Sequence, residues 1–461
     1  MRRSFTLACL TAVALVAPSL VQAAAPATPA VLQQDSAANR DTTRKKRDLP
    51  LESNRSLSFS ATQGSWMSVD VSPDGRTIVF DLLGDLYTMP IAGGTATRLT
   101  RGIAFDAQPR FSPDGKRVVF ISDRSGGDNV WIMSLDGRDT LQVTKGNNNL
   151  YFSPEWTPDG SYVIASKTGG LGGTAKLWMY HVDGGTGAQL ISEGQPAPQP
   201  PPGQGGTKML GAAFGPDGRY VWYAQRQGDW QYNAIFPQYQ LVVYDRETGT
   251  RTTMSARYGS AFRPALSPDG KWLVYGSRHE ANTGLRIRDL ASGEEEWLAY
   301  PVQRDDQESR STLDVLPGYS FTPDSRAVVV SYGGEIWRVP VDRSAATKVP
   351  LSAQVALDIG PEVRFVNRVN DSASFVARQI RDATPSPDGK RLAFTAFDRL
   401  YVMDFPGGTP RRITDLDVGE FQPVWSPDGR SIAFVTWNES EGGHIYRVAS
   451  DGRGGGGGGG G

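Results

Sequence analysis

Eight Pro-Asp turns, each between two strand-like stretches, constrain what this 461-residue chain can fold into. Seven of them read Pro-Asp-Gly, and the sixth reads Pro323-Asp324-Ser325. Proline presets φ at the second position of a type I turn, aspartate suits the third, and glycine takes the left-handed conformation that a three-residue hairpin loop needs. The turns therefore predict eight hairpins. Their prolines are Pro73, Pro113, Pro158, Pro216, Pro268, Pro323, Pro387 and Pro427.

The same order of strands follows each turn. A β-branched stretch such as 117–121 comes first, then an aromatic stretch such as 130–132, then a short one such as 142–144. Successive turn prolines lie 40 to 64 residues apart. Repeats near 40 to 45 residues with four strands are typical of β-propeller blades. We therefore predict an all-β fold, a propeller of seven to eight four-stranded blades over residues 55–453. The N-terminal stretch 55–62 could supply the fourth strand of the last blade and so close the ring.

The N-terminal segment of the chain predicts export. Residues 1–23 carry two arginines, an apolar run and a small-residue cleavage site, which are the parts of a signal peptide, and this predicts a periplasmic or secreted bacterial protein. The one cysteine, Cys9, lies inside this segment. Residues 24–54 read as a flexible linker. Residues 454–461 read as a disordered polyglycine tail, for which a scar, a frameshifted end and a truncation are the alternative origins. After cleavage no segment is predicted to span a membrane.

Composition and motifs argue against several function classes. The net charge of −1 predicts no nucleic-acid partner. The three histidines form neither His-x-His nor His-Glu-x-x-His, and the chain has no Gly-x-Ser-x-Gly elbow. We predict no catalytic residue, no metal ligand and no cofactor in this chain. A propeller lyase or hydrolase with a metal in its channel is the weakest alternative.

Binding residues are expected on the propeller face opposite the uniform Pro-Asp turns, where the loops vary in length and composition. Variable loops on a rigid scaffold are the usual place for binding. Ordinary solvated loop residues and local aromatic packing are the alternative interpretation. The predicted binding residues are Arg124, Arg226, Trp230, Tyr232, Arg278 and His279.

Two resemblances add to this prediction. Residues 111–124, Phe-Ser-Pro-Asp-Gly-Lys-Arg-Val-Val-Phe-Ile-Ser-Asp-Arg, together with 129–137, resemble the TolB-type propeller repeat, a periplasmic relative of the WD repeat. Residues 64–87, 336–341 and 408–414 resemble the N-terminal propeller region of secreted bacterial amidohydrolases. In that family a metal-dependent (β/α)8 barrel follows the propeller and holds the metal with ligands that include a His-x-His pair. No position here matches those ligands.

The resemblance implies two functions. The first is a non-catalytic periplasmic propeller that binds a peptide or protein, or gates a substrate. The alternative is an N-terminal fragment of a secreted amidohydrolase, in which the partner of the propeller would be the missing C-terminal catalytic domain and the divalent metal would belong to the absent barrel.

Overall fold

The computed structural model of this chain describes residues 53–169, 174–191, 207–226, 235–309, 313–360 and 372–453. These residues form strands and turns and no helix. The chain divides into two compact units, residues 1–362 and 363–461. The predicted signal peptide, nearly all of the predicted linker and the polyglycine tail lie outside the described residues, as do Trp230 and Tyr232.

Unit 1, residues 1–362, contains six successive groups of four antiparallel strands, which we call blades 1 to 6. Blades 1 to 3 are formed by β2 (Val69–Val71), β3 (Thr77–Leu82), β4 (Asp85–Pro90), β5 (Gly94–Arg98), β6 (Asp106–Phe111), β7 (Arg117–Ser122), β8 (Asn129–Ser134), β9 (Thr140–Gln142), β10 (Leu150–Trp156), β11 (Tyr162–Thr168), β12 (Lys176–His181) and β13 (Ala188–Gln189). Blades 4 to 6 are formed by β14 (Lys208–Phe214), β15 (Tyr220–Arg226), β16 (Gln240–Asp245), β17 (Arg251–Thr253), β18 (Phe262–Leu266), β19 (Trp272–His279), β20 (Asn282–Asp289), β21 (Glu295–Ala299), β22 (Ser320–Phe321), β23 (Ala327–Tyr332), β24 (Glu335–Pro340) and β25 (Thr347–Val349).

Blade 6 contacts blade 1, so unit 1 closes on itself. The amide of Val69 donates a hydrogen bond to the carbonyl of Gly318 (2.8 Å), and the amide of Gly64 donates one to the carbonyl of Gly334 (3.0 Å). Such bonds between residues far apart in sequence fix the seam of the ring. The six blades are therefore a closed propeller of their own.

The N-terminal strand does not complete the last blade, contrary to the closure that the sequence suggested. Strand β1 (Arg55–Ala61) pairs antiparallel with β26 (Leu351–Ile359), with Arg55 opposite Ile359. Strand β26 then pairs in parallel with the outer strand β5 of blade 1. The pair β1–β26 thus widens blade 1 into a six-stranded sheet. Since blades 6 and 1 already meet, this ring needs no strand from the N-terminus.

The Pro-Asp turns have the predicted geometry and also link neighbouring blades. The seven turn glycines have φ between 67° and 71°. In blades 2 to 5 each turn lies against the turn of the blade before it. A methyl group on Gly115, for example, would lie 3.4 Å from Pro73 Cδ. A methyl group on Gly75, in blade 1, would lie 3.5 Å from Pro323 Cδ in blade 6. The turns of unit 1 therefore follow the same closed ring as its strands.

The core of unit 1 lies between adjacent blades. One cluster joins Phe152 and Leu210 to Phe262 and Leu316, and a second joins Met67 to Val329. Alternating apolar residues on each strand put one set of side chains on each side of a blade, so both sides are buried by neighbouring blades. This packing explains the β-branched and aromatic content of the strands.

Unit 2, residues 363–461, contains two further sheets in its described part. Their packed faces share a core that includes Leu400, Ile432 and Phe434. The strands are β27 (Arg381–Pro385), β28 (Arg391–Ala396), β29 (Arg399–Asp404), β30 (Arg411–Arg412), β31 (Gly419–Trp425), β32 (Ser431–Asn438) and β33 (Gly442–Ala449). The all-β fold and the four-stranded blades predicted from the sequence are confirmed. Among the residues described, no helix is long and apolar enough to cross a membrane.

Candidate binding site

One residue of each blade lies five positions before the turn proline and faces the axis of unit 1. In blades 2 to 5 a β-bulge interrupts the inner strand at this position. The bulged residues have positive φ, 57° at Gln108 and 53° at Arg263. A bulge re-aims the side chain of the extra residue, which here leaves the blade and turns to the axis. The six residues are Ser68, Gln108, Ser153, Gly211, Arg263 and Gly318.

A buried ion pair occupies the axis. Arg263 Nη1 lies 2.6 Å from Asp314 Oδ2, and the two side chains are 6% and 1% exposed. The hydroxyl of Ser153 also donates to this carboxylate. A Cβ atom on Gly211 would lie 3.0 Å from Asp314 Oδ2, and one on Gly318 would lie 2.9 Å from Arg263 Nη2. Blades 4 and 6 therefore have glycine at this position because the ion pair fills the space.

A hydrogen-bond chain continues from the axis to blades 1 and 2. Gln108 Oε1 accepts a bond from the amide of Ser153 (2.7 Å), and Gln108 Nε2 donates to the carbonyl of Leu313 (2.6 Å). The carboxylate of Asp81 accepts bonds from the amides of Ser68 and Gln108, both at 2.7 Å. Burial raises the pKa of Asp81 to about 7, although both backbone donors lower it. This network holds blades 1, 2 and 3 in fixed positions around the axis.

An open pocket lies beside this network, at the junction of blades 1 and 2. Its volume is about 170 Å³. The rim includes Leu83 in the β3–β4 hairpin and Phe105 before β6, whose side chains are 53% and 49% exposed. Both belong to the face opposite the Pro-Asp turns, which is the face where the sequence predicts binding. The pocket is lined by Ser65, Trp66, Ser68, Asp81, Leu83, Gly84, Phe105, Asp106, Ala107, Gln108 and Leu313.

Carboxylates surround this pocket. Asp106 is fully buried, pairs with Arg124 through Oδ2 (2.6 Å), and its Oδ1 accepts no hydrogen bond from the described residues. Asp85 pairs with Arg98 (2.6 Å). Burial raises the pKa of Asp85 to about 6, and the nearby charge of Asp106 adds to this rise. Asp123 accepts a hydrogen bond from the amide of Phe105 (2.8 Å).

The three predicted arginines occupy similar places on this face, at or just after the ends of the second strands of blades 2, 4 and 5, but in different surroundings. Arg124 contacts the pocket through Asp106 and lies over the rings of Phe120 and Trp131. Arg226 is 6% exposed, with its guanidinium 5.9 Å from the ring of Tyr239.

Arg278 and His279 lie in blade 5. Arg278 binds Asp305 (2.9 Å) and Glu308 (2.8 Å) in the connection to blade 6. His279 is exposed, and its ring lies 6.3 Å from Trp297 and 6.1 Å from Tyr300. The described contacts bring Arg124 alone of the predicted residues to the pocket.

Sequence reasoning missed the residues at the axis and in the pocket, above all Gln108, Arg263, Asp314, Trp66 and Phe105. A signal existed for the axis, since its residues keep a constant distance of five from the turn proline. Asp314 and Phe105 lie in connections between blades, so no constant distance from a turn proline identifies them. The described residues contain no group of three or more His, Cys, Asp or Glu side chains placed to hold a metal.

The geometry agrees with the comparisons to known proteins. Residues 66–231 match the family described as the Tricorn protease N-terminal β-propeller domain, which is less than half of this chain. The Tol-Pal system protein TolB of Wolinella succinogenes is 32% identical over 105 residues, covering 22% of this chain and 25% of that protein. The repeats of this chain are TolB-like propeller repeats.

Two further comparisons cover larger shares of this chain. The uncharacterized peptidase YuxL of Bacillus subtilis is 26% identical over 183 residues, 40% of this chain and 23% of that protein. The chain thus spans about a quarter of the length of these curated relatives. The crystal structure of TolB from Acinetobacter baumannii overlaps 62% of this chain and 65% of its own, with 16% identity and a TM-score of 0.43.

Proposed function

We propose that the TolB-like propeller is a non-catalytic binding domain of the bacterial periplasm or exterior that holds a segment of a peptide or protein. The observation that carries this proposal is the pocket between blades 1 and 2. It combines an exposed apolar rim, Leu83 and Phe105, with a floor fixed by the hydrogen bonds of Asp81 and Gln108. A rigid concave site with few polar groups is the usual form of a binding site.

The ion pair on the axis supports binding at the pocket rather than passage through the centre. Arg263 and Asp314 are buried and contact positions of blades 3, 4 and 6. A ligand would have to separate this pair to cross at that level, which would leave a buried charge uncompensated. Similarity to a protein named for the Tol-Pal system supports a protein partner. The predicted signal peptide supports export.

Selection of peptides from a random dodecapeptide library displayed on phage tests the proposal. The target is the whole chain without residues 1–23. We expect enriched peptides whose Kd rises about tenfold or more in Phe105→Ala, because the rim loses most of its aromatic surface. The matched control is Leu141→Ala, which removes an exposed apolar side chain from the outer strand of blade 2.

Two outcomes would contradict the proposal. One is a library that yields no peptide with a measurable Kd. The other is a set of peptides that bind Phe105→Ala as tightly as the unaltered protein. Binding that is lost in Trp230→Ala but kept in Phe105→Ala would move the site to the loop predicted from the sequence.

A second candidate function is that of a substrate-gating propeller joined to a hydrolase. The matching family is named for a protease, and one relative is named a peptidase. The sequence resemblance implies an amidohydrolase instead. Sequencing of the genomic reading frame around this chain separates these cases. A His-x-His pair followed by a (β/α)8 pattern supports the amidohydrolase, a Gly-x-Ser-x-Gly elbow supports the peptidase, and neither motif would remove this candidate.

A further inference from the structure

We infer that the pocket between blades 1 and 2 selects a group that joins an aromatic or branched aliphatic side chain to a positive charge. Such a group occurs where a lysine, an arginine or a free amino terminus lies next to a phenylalanine or leucine. The inference rests on the proposed binding function and adds to it the chemical class of the anchor.

The size and lining of the pocket fit one apolar side chain. A cavity of about 150 Å³ lined by apolar side chains binds benzene, and this pocket measures about 170 Å³. Trp66, Leu83 and Phe105 supply apolar walls, with Ala107 and Leu313 beside them. Burial of a phenyl or leucyl group here would remove apolar surface of both partners from water, which is favourable.

The charges around the pocket favour a cation. Five carboxylates belong to this region. Asp81 and Asp106 line the pocket, and Asp85 follows the lining residue Gly84. Asp123 accepts the hydrogen bond from the amide of Phe105. Burial and the charge of Asp123 raise the pKa of Asp128. Arg98 pairs with Asp85, and Arg124 pairs with Asp106. The charge of Arg263 lowers the pKa of Asp81. Above about pH 7, where Asp81 and Asp85 are ionised, the carboxylates outnumber these arginines. Because burial also lowers the effective dielectric, an occupant then meets a net negative potential.

The placement of Asp106 strengthens this preference. It lines the pocket, it is fully buried, and one of its two carboxylate oxygens accepts no hydrogen bond from the described residues. Its pairing with Arg124 offsets part of its charge, and the remainder acts on the pocket from within the protein, where water screens it weakly. Phe105 and Trp66 also line the pocket, and an aromatic ring attracts a cation that lies over its face.

Three small probes of similar shape isolate the charge. We would titrate phenethylammonium, 3-phenylpropionate and neutral 2-phenylethanol against the whole chain without residues 1–23, by saturation-transfer NMR at low salt. We expect phenethylammonium to bind about tenfold or more tighter than 3-phenylpropionate, with 2-phenylethanol between them.

Three variants complete the test. Ser65→Phe fills the pocket from its exposed rim and should abolish probe binding. Asp123→Asn keeps the acceptor for the Phe105 amide but removes a charge. It should reduce the difference in Kd between phenethylammonium and 3-phenylpropionate. Leu141→Ala is the control and should change neither the binding of the probes nor the difference in Kd between them. Unchanged thermal melting would show that each variant is folded.

The outcomes distinguish this inference from the proposed function. Equal or tighter binding of 3-phenylpropionate would overturn the cationic preference and leave the pocket as a binding site. If Ser65→Phe leaves unchanged both the affinity for the probes and the affinity for the peptides selected on phage, the pocket is not a binding site. The proposed function then fails at this place. Cation preference that survives Ser65→Phe would also overturn the inference, because the probe then binds elsewhere.

Discussion

Ile336 in unit 1 and Ile445 in unit 2 occupy the same place in their repeats but have opposite environments. Each lies on the third strand, opposite the residue eight positions after the turn proline, which is Ser331 in one repeat and Val435 in the other. Ile336 is fully buried, and Ile445 is 78% exposed. The corresponding residues of the other six repeats are aliphatic and at most 1% exposed: Leu86, Val130, Leu177, Leu241, Leu285 and Leu400.

The difference teaches that the next blade, and not the strand sequence, decides whether this position is buried. In unit 1 every blade has a neighbour on each side, because blade 6 contacts blade 1. In unit 2 the sheet β31–β33 packs one face on its neighbour, while Val424, Trp437 and Ile445 on the other face are exposed. An apolar pattern on a strand therefore predicts a face that can be buried, and only the packing shows whether it is.

The largest expected effect comes from the axis of unit 1. Asp314→Ala leaves the buried Arg263 without its partner and should lower the free energy of unfolding by about 3–5 kcal/mol. Asp417→Ala removes the fully exposed partner of Arg399 in unit 2, where water screens the pair, and should change the free energy of unfolding far less. Hydrogen exchange by mass spectrometry should show lost protection in β10 and β18 for Asp314→Ala, with β28 and β32 unchanged. Equal costs for the two variants would refute the structural role of the axis.

The next effect compares the two isoleucines directly. Ile336→Ala removes a buried side chain and should cost about 2–5 kcal/mol. Ile445→Ala is the matched variant and should change stability by no more than about 0.5 kcal/mol, because its side chain already contacts water. Urea denaturation of both variants measures the difference. A large loss in Ile445→Ala would mean that the exposed face of β33 is covered in solution, which would break the comparison.

A third, pH-dependent effect concerns Asp81, which in blade 1 holds the place that Val435 holds in unit 2. Its folded pKa of about 7 lies above the 3.8 of an ordinary aspartate. Its contribution to stability is therefore full below about pH 4 and is lost as the pH rises through about 7. We expect the unfolding free energy of the unaltered protein, measured relative to that of Asp81→Asn, to decrease as the pH rises from about 4 to about 7.

A matched variant tests whether burial by the next blade causes this pKa shift. Val435→Asp puts a carboxyl at the corresponding place of the uncovered sheet, where we expect an ordinary pKa and no fall of this kind above pH 4. If the difference in unfolding free energy between the unaltered protein and Asp81→Asn did not change with pH, the carboxyl of Asp81 would not be held in a desolvated site.

Much of the fold could be predicted from local chemistry. A Pro-Asp-Gly turn needs a left-handed glycine wherever it occurs, so the eight hairpins followed from the sequence alone. Ring closure could not be predicted in this way. It depends on contacts such as Gly75 with Pro323, which involve residues from repeats that the sequence makes look equivalent. Strand β1 looked like a missing fourth strand, but β26, which lies between the repeats, offered it a partner.

The candidate site was predicted only as a face. The variable loops placed binding opposite the turns, and the pocket lies on that face. The residues themselves were not predicted, because Phe105 and Leu83 look like ordinary loop residues until Gly84, Asp106 and Trp66 are placed beside them. The predicted arginines were chosen for charge, yet the described contacts of Arg278 are to acidic residues of its own chain. The binding roles of Trp230 and Tyr232 stay predictions.

A disulfide across the seam tests the six-blade ring most directly. A Cβ atom on Gly334 would lie 3.6 Å from Gln63 Cβ, within the range for a disulfide. In a Cys9→Ser background, Gln63→Cys with Gly334→Cys should oxidise to an intramolecular disulfide, seen as a faster band on a non-reducing gel and as a linked peptide by mass spectrometry. The control pairs Gln63→Cys with Gly333→Cys, where a Cβ atom would have no neighbour within 4 Å, and should stay reduced. Failure of the first pair to oxidise, or equal oxidation of both, would contradict closure of blade 6 on blade 1.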